Sequence, residues 1–457
     1  MTVASASRVS TRLFVAQALS GALSVPVTIM MARGLSADGL GEFQTLNRLM
    51  LVVVGFAVLG YPHAIAWAIA CARSPEGYAR VRKYLYAASA IGGLVVVCAF
   101  VSISVLMQPP NFVAFWVFMA YAIFNVVNAN QINLLRGRLR PGRLFLTRMT
   151  QVVVWFVAVL VLWLLEKLTV ESAAWTMLAC QILAVLIGFA QIAADSHSVG
   201  ESTGEQSVYS EVPTFARTSG FAAKVLPGLA VREWSVNADQ LIVAILLTSA
   251  DVGLYAVAAS LALAIGLCTN PLSGTVQPIV QAAPVDDRSR VVAKYFAATF
   301  VVVLVPAGLL ALAAPLLIPV LYGKEFGESV PLLLVLICAA LANAFTATAS
   351  GVLLGLGRPG SSSVAIFAGF AVSLTFWILL GYTLGLIGIA LGTVLGALTS
   401  AVVQVALVST QLRLSISSLL LRSIKSLPSV ALLIGQTAVK EVKALAWNGE
   451  GKGRHRA

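Results

Sequence analysis

A chain of 457 residues that is 59% hydrophobic and only 11% charged has too little polar surface for a water-soluble fold, in which about a quarter of residues are charged. Its 30 Lys and Arg against 18 Asp and Glu give a net charge of +12, but the excess falls in short segments between apolar runs, the pattern of membrane orientation rather than of nucleic-acid binding. Five cysteines, none at CxxC spacing, and three histidines exclude a disulfide framework and leave too few ligands for a metal-dependent enzyme.

The apolar runs are about 20 residues long, enough to cross a hydrocarbon core of roughly 30 Å as helices. They lack the alternating pattern of a membrane barrel, so the fold class is all-α and polytopic. The first run, near residues 13–31, lacks a small-residue cleavage site and is read as a span rather than a signal peptide. In chain order, spans are predicted near 12–32, 43–70, 84–107, 112–134, 146–165 and 173–194, then near 219–247, 253–280, 293–321, 328–355, 362–382 and 386–409. These twelve form an N-terminal six-helix lobe (1–195) and a C-terminal six-helix lobe (218–410), joined by a Ser-, Gly- and Glu-rich linker (196–217). The basic tail (411–457) has apolar runs broken by Arg422, Lys425 and Pro428. It is read as a membrane-surface helix, with a further span as the alternative.

With the N-terminus inside, 25 of the 30 basic residues fall in inner segments, and the outer loops hold only Arg33, Lys167 and Lys324. Random span counting would scatter these charges, so both termini are expected in the cytoplasm, with anionic membrane lipids as partners of the basic inner face. Nucleic acid is not an expected partner.

Two echoes relate the lobes. Ser36-Ala37-Asp38-Gly39-Leu40-Gly41-Glu42-Phe43 resembles Ser249-Ala250-Asp251-Val252-Gly253-Leu254-Tyr255, and Leu134-Leu135 before Arg140-Pro141-Gly142 resembles Leu353-Leu354 before Arg358-Pro359-Gly360. Six is an even number, so duplicated units enter the membrane with the same orientation, as parallel repeats around a central cleft.

Charged and amide side chains inside spans are the candidates for chemistry, because each intramembrane charge costs about 2.5 to 3.5 kcal/mol even on a lenient scale. The seventh span reads Val231-Arg232-Glu233-Trp234-Ser235-Val236-Asn237-Ala238-Asp239-Gln240. Arg232 and Asp239, seven apart, share one helical face, with Glu233, Asn237 and Gln240 on an adjoining one. A cleft-facing site and an Arg232–Asp239 packing pair are the alternatives. Pro227-Gly228 is an alternative helix start, which would leave Arg232 near the inner surface. Arg48 in the second span fits either snorkelling or ligand binding. Asn125, Asn128 and Gln131 make a polar stripe on the fourth span, read as interhelical glue or as hydrogen-bond donors to sugar or phosphate. Pro26, Pro62, Pro271, Pro278 and Pro306 are expected to kink spans.

Ala32-Arg33-Gly34-Leu35 with Gly39 to Phe43, Asp239-Gln240-Leu241 leading to Gly253-Leu254-Tyr255-Ala256, and Leu321-Tyr322-Gly323-Lys324-Glu325-Phe326 stand in an order and spacing that resemble the polysaccharide and O-antigen flippases of the multidrug/oligosaccharidyl-lipid/polysaccharide exporter superfamily. The resemblance implies a non-enzymatic transporter of the inner membrane. It would move polyprenyl-pyrophosphate-linked oligosaccharide outward by alternating access, with polysaccharide-assembly proteins as candidate partners. It assigns Arg48 and Arg232 to the substrate cavity, for which Asn125, Asn128, Gln131 and Asn237 are further candidates by their polar faces. No cofactor is expected, and Glu233 and Asp239 are the candidates for a coupling Na+ or H+. The competing functions are a cation-coupled drug exporter of the same superfamily and a membrane-embedded polymerase or glycosyltransferase. The short, nearly uncharged outer loops disfavour the enzyme.

Overall fold

The computed structural model describes residues 3–72, 74–107, 111–137, 141–196, 212–412 and 428; side chains are described over fewer, beginning at Leu23. The expected tail helix, most of the linker, and the side chains of Arg232 and Glu233 lie outside the described residues. The described chain is helical almost throughout: α1 (Val3–Ala57), α2 (Tyr61–Cys71), α3 (Pro75–Met107), α4 (Phe112–Gly137), α5 (Pro141–Leu164), α6 (Val170–Ser196), α7 (Phe215–Leu246), α8 (Ser249–Ala282), α9 (Arg288–Leu321), a 3-10 turn (Lys324–Glu328), α10 (Ser329–Gly355) and α11 (Pro359–Gln411). The protein is an all-α, multi-pass integral membrane protein. Eight described helices are long and apolar enough to cross a membrane, or nine when the bent pair Leu23–Ala57 and Tyr61–Ile69 counts as one span, and Trp234–Leu246 is a shorter apolar piece.

Two predicted pairs of spans are continuous helices with a break inside. α1 changes direction at Ser36 (φ 63°) and α11 at Gly385 (φ 61°). Gly385 takes this backbone geometry without a Cβ penalty, whereas Ser36 is held there at a cost of about 1 to 3 kcal/mol. The second span is itself broken. The chain turns at Leu59 and Gly60, both at positive φ, and restarts as α2 with Pro62 in its first turn. Pro62 therefore starts a helix and does not kink one, the position where a missing N–H costs nothing. A Cβ on Gly60 would stand 2.3 Å from the Ala222 carbonyl oxygen, so glycine is required both by the backbone and by the neighbouring helix.

The echoes mark matching helix boundaries. Pro141 opens α5 after α4, and Pro359 opens α11 after α10. Ser36 precedes the second leg of α1, and Ser249 opens α8, where Thr248 and Asp251 satisfy each other's backbone N–H groups as a capping box. These two segments also touch reciprocally. A Cβ on Gly41 would fall 1.6 Å from the Ser249 carbonyl oxygen, and one on Gly253 2.2 Å from that of Ala37.

The chain forms two compact units. The first comprises Met1–Leu261, Pro315–Leu332 and Trp377–Ala390. In it, amides join the early helices: Asn130 donates to Ser89 Oγ, Gln131 to the Val185 carbonyl, and Gln151 to Gln181 Oε1. Arg33 reaches from α1 to the C-terminal end of α9, donating through Nε to the Leu321 carbonyl at 2.7 Å and through Nη2 to that of Val320. A cation bonded to unpaired carbonyls at a helix C-terminus offsets the helix dipole. Arg33→Ala is expected to weaken this turn by about 1 kcal/mol, read as faster hydrogen exchange at the Tyr322 and Gly323 amides, which bond Ile318 and Pro319.

The second unit comprises Ala262–Ala314, Leu333–Phe376 and Leu391–Ala457. Val276, Val280, Val292, Phe296, Val352, Leu353 and Val408 are among its core residues. The two legs of α11 meet at small residues, four apart on each leg. A Cβ on Gly369 would lie 2.7 Å from the Gly396 carbonyl oxygen and equally close to Ser400 Cβ, and one on Gly396 would strike Ser373 Oγ. Such small-residue stripes let membrane helices approach without hydrophobic drive.

Candidate functional site

α7 is unbroken from Phe215 to Leu246 and is capped by Thr214, so Pro227-Gly228 does not begin it and the polar run sits within the helix. Asn237 and Gln240, three apart, lie close together on the helix surface. Both are buried, and both meet Arg48 of α1. Arg48 Nε donates to Gln240 Oε1 at 2.8 Å, and Nη1 donates to Asn237 Oδ1 at 2.7 Å. Phe56 and Trp234 pack edge to face at 5.8 Å between the same two helices.

Asp239 has other partners. The Tyr255 hydroxyl of α8 donates to its Oδ2 at 3.0 Å, and the Gln240 backbone N–H donates to its Oδ1 at 2.8 Å. The charges of Arg48 and Asp239 still act on one another. The guanidinium is thus bonded to neutral oxygens with a carboxylate nearby. Two hydrogen bonds from a charged donor, about 1.5 to 3 kcal/mol each, are of the size needed to offset the insertion cost of Arg48.

Arg48, read from the sequence as snorkelling or as binding a ligand, is bonded to α7. The structure brings together Arg48 and Asn237 from the expected set, with Asp239 beside them. It does not bring Asn125, Asn128 or Gln131 to this place. Gln131 bonds α6 and sits where a Cβ on Gly188 would clash at 2.3 Å, and Asn125 bonds the Tyr121 hydroxyl of its own helix. Asn128 is buried, and its Oδ1 has no partner among the described residues. Gln240, which the sequence placed on the polar face of this helix, and Tyr255, which it did not single out as a site residue, join the site. Both stand in the motifs Asp239-Gln240-Leu241 and Gly253-Leu254-Tyr255-Ala256, and the spacing of those motifs does not say that they bond. From Arg288 to Gln411 the only charged residues are Arg288, Arg290, Lys294, Lys324, Glu325, Glu328 and Arg358, all at or near helix ends. Among the described residues no group of three or more His, Cys, Asp or Glu side chains could hold a metal ion.

The fold is similar to that of solved transporters of the MOP superfamily. An inward-facing multidrug resistance MATE family transporter of that superfamily superposes with a TM-score of 0.66 at 19% identity, over 88% of this chain and 98% of its own. An outward-facing MATE family transporter gives 0.62 at 18% identity, over 90% and 95%. A MOP superfamily transporter from Pyrococcus furiosus, described as having a binding pocket of reverse polarity that suggests a different function, gives 0.57 at 15% identity, over 90% and 96%. Residues 10–282 match the family described as Polysaccharide biosynthesis protein, and the chain belongs to that family. A search of curated proteins finds no matching sequence.

Proposed function

We propose that this protein flips polyprenyl-pyrophosphate-linked oligosaccharide repeat units from the inner to the outer leaflet of the cytoplasmic membrane, for export of a cell-surface polysaccharide. The observation that carries the reading is Arg48: an intramembrane guanidinium held by neutral amides, in a member of a polysaccharide biosynthesis family. Arginine suits phosphate because its fork donates two parallel hydrogen bonds and keeps its charge. The two six-helix lobes open the site alternately to either face, with the termini in the cytoplasm and the polyprenyl tail left in lipid. An inside-negative potential favours outward movement of an uncompensated anion by about 2.3 kcal/mol per charge per 100 mV. A pyrophosphate at Arg48 brings like charge next to Asp239, so a Na+ or H+ taken up at Asp239 relieves the repulsion and couples to the cycle. Glu233 is the second candidate for that ion.

The test is reconstitution in liposomes with a fluorescent polyprenyl-pyrophosphate oligosaccharide placed in one leaflet. Protein-dependent appearance in the other leaflet, competed by unlabelled lipid carrier, is expected. A rate equal to that of protein-free liposomes, with transport of a cationic drug instead, refutes the reading in favour of a drug exporter. An arginine centre disfavours that second outcome by charge repulsion.

A further inference from the structure

Arg48 has a carboxylate for a neighbour and does not use it. Asp239 is occupied by Tyr255 and the Gln240 N–H, and the guanidinium is bonded instead to two side-chain amide oxygens. The difference matters for exchange. A phosphate oxygen adds to the hydrogen bond a full opposite charge that an amide oxygen lacks, so it can displace an amide more readily than a paired carboxylate. Nε–H and one Nη2–H form the side edge of the guanidinium, and Gln240 holds the Nε half of it. Capture of a phosphate on that edge with two parallel bonds therefore requires Gln240 to let go, while Asn237 holds Nη1 of the same group.

We propose that Asn237 and Gln240 act as stand-ins for phosphate oxygens, holding Arg48 against α7 until a phosphate or pyrophosphate group replaces them, so that anion binding releases α1 from α7. This rests on the reading of Arg48 as an anion anchor and adds to it the coupling between occupancy and helix movement. The two residues are positioning residues that also set an affinity threshold. A weakly charged ligand does not outcompete them, whereas pyrophosphate does.

The test uses the full-length protein in nanodiscs, titrated with inorganic pyrophosphate and, in a parallel arm, with polyprenyl pyrophosphate. Binding is read by calorimetry, and the α1–α7 separation by electron–electron resonance between spin labels on the two helices. In the wild type, saturation is expected to change the separation. The Asn237→Leu/Gln240→Leu variant should show the changed separation without ligand and bind at least about tenfold more tightly, a gain of about 1.4 kcal/mol. The isosteric Gln240→Glu variant keeps the shape of the site and turns the stand-in into a charged partner. It should bind at least about tenfold more weakly and keep the ligand-free separation. Binding in both arms assigns recognition to the phosphate group alone, and binding in the polyprenyl arm alone assigns it to the lipid carrier; either supports the proposal. Unchanged affinity in Gln240→Glu, or an unmoved α1–α7 separation at saturation, overturns it. Neither readout involves flipping, so the proposal can fail while transport of lipid-linked oligosaccharide stands, and the reverse.

Discussion

Arg48→Gln is expected to slow flipping of a polyprenyl-pyrophosphate oligosaccharide by about 100-fold or more, while the protein still inserts and elutes as a folded species. The size follows from the loss of a charge that meets a charged ligand away from water, where truncating one partner costs about 2 to 5 kcal/mol and each 1.4 kcal/mol is tenfold. Folding is expected to survive because the partners left behind, Asn237 and Gln240, are neutral amides that can bond a third amide. Arg48→Lys separates charge from geometry. An ammonium keeps the charge but not the planar fork, so an intermediate rate is expected, with the larger loss in apparent affinity. Initial rates in liposomes at several substrate concentrations make the measurement. A rate for Arg48→Gln within about threefold of the wild type, less than 1 kcal/mol, would remove Arg48 from the transport path.

The second large effect concerns the reciprocal glycine contact between α1 and α8. Gly41→Ala places a methyl 1.6 Å from the Ser249 carbonyl oxygen and 3.0 Å from the Gly253 nitrogen, and Gly253→Ala places one 2.2 Å from the Ala37 oxygen. The atoms met are backbone, which cannot rotate away, so the helices must separate. Overpacking of this kind costs about 1 to 3 kcal/mol, and the upper end is expected here. Gly220→Ala is the control. Nothing lies within 4 Å of its added Cβ, and alanine in a helix is favoured over glycine by about 1 kcal/mol, so it should match or exceed the wild type. Thermal unfolding in detergent, followed by the loss of the monodisperse peak, compares the three. The Gly41→Ala/Gly253→Ala double variant should lose less than the sum of the single losses, because one separation of α1 from α8 makes room for both methyls. A thermal midpoint for Gly41→Ala equal to that of Gly220→Ala would show that the contact yields without cost.

The motifs that carried the family resemblance acquire a physical meaning as pairs. Arg33 of Ala32-Arg33-Gly34-Leu35 caps the helix that ends at Leu321 of Leu321-Tyr322-Gly323-Lys324-Glu325-Phe326. Asp239 accepts from Tyr255, joining the motifs at the end of α7 and the start of α8. The 3-10 turn within the last motif buries Phe326, and the next residues are tied back by Ser329, which donates to the Leu254 carbonyl. Short, loosely specified sequences far apart in the chain thus serve as two halves of single contacts.

By itself, the sequence determined what depends on transfer from water to lipid and on local backbone chemistry. Runs of apolar residues long enough to cross a bilayer dictated the helical class, and the echoed Arg-Pro-Gly segments fell where α5 and α11 begin, at Pro141 and Pro359. It also marked the costly charges, Arg48 and Asp239, because an ionisable residue among apolar ones is conspicuous in one dimension. Partners were decided only by the tertiary structure. Helical periodicity says which residues share a face but not which helix that face meets. Spacing alone therefore did not show that Arg48 bonds Asn237 and Gln240, or that the Asp239 oxygens accept from Tyr255 and from its own helix turn. The break that makes Pro62 a helix start depends on a glycine fitted against the Ala222 carbonyl, a contact between residues more than 150 positions apart.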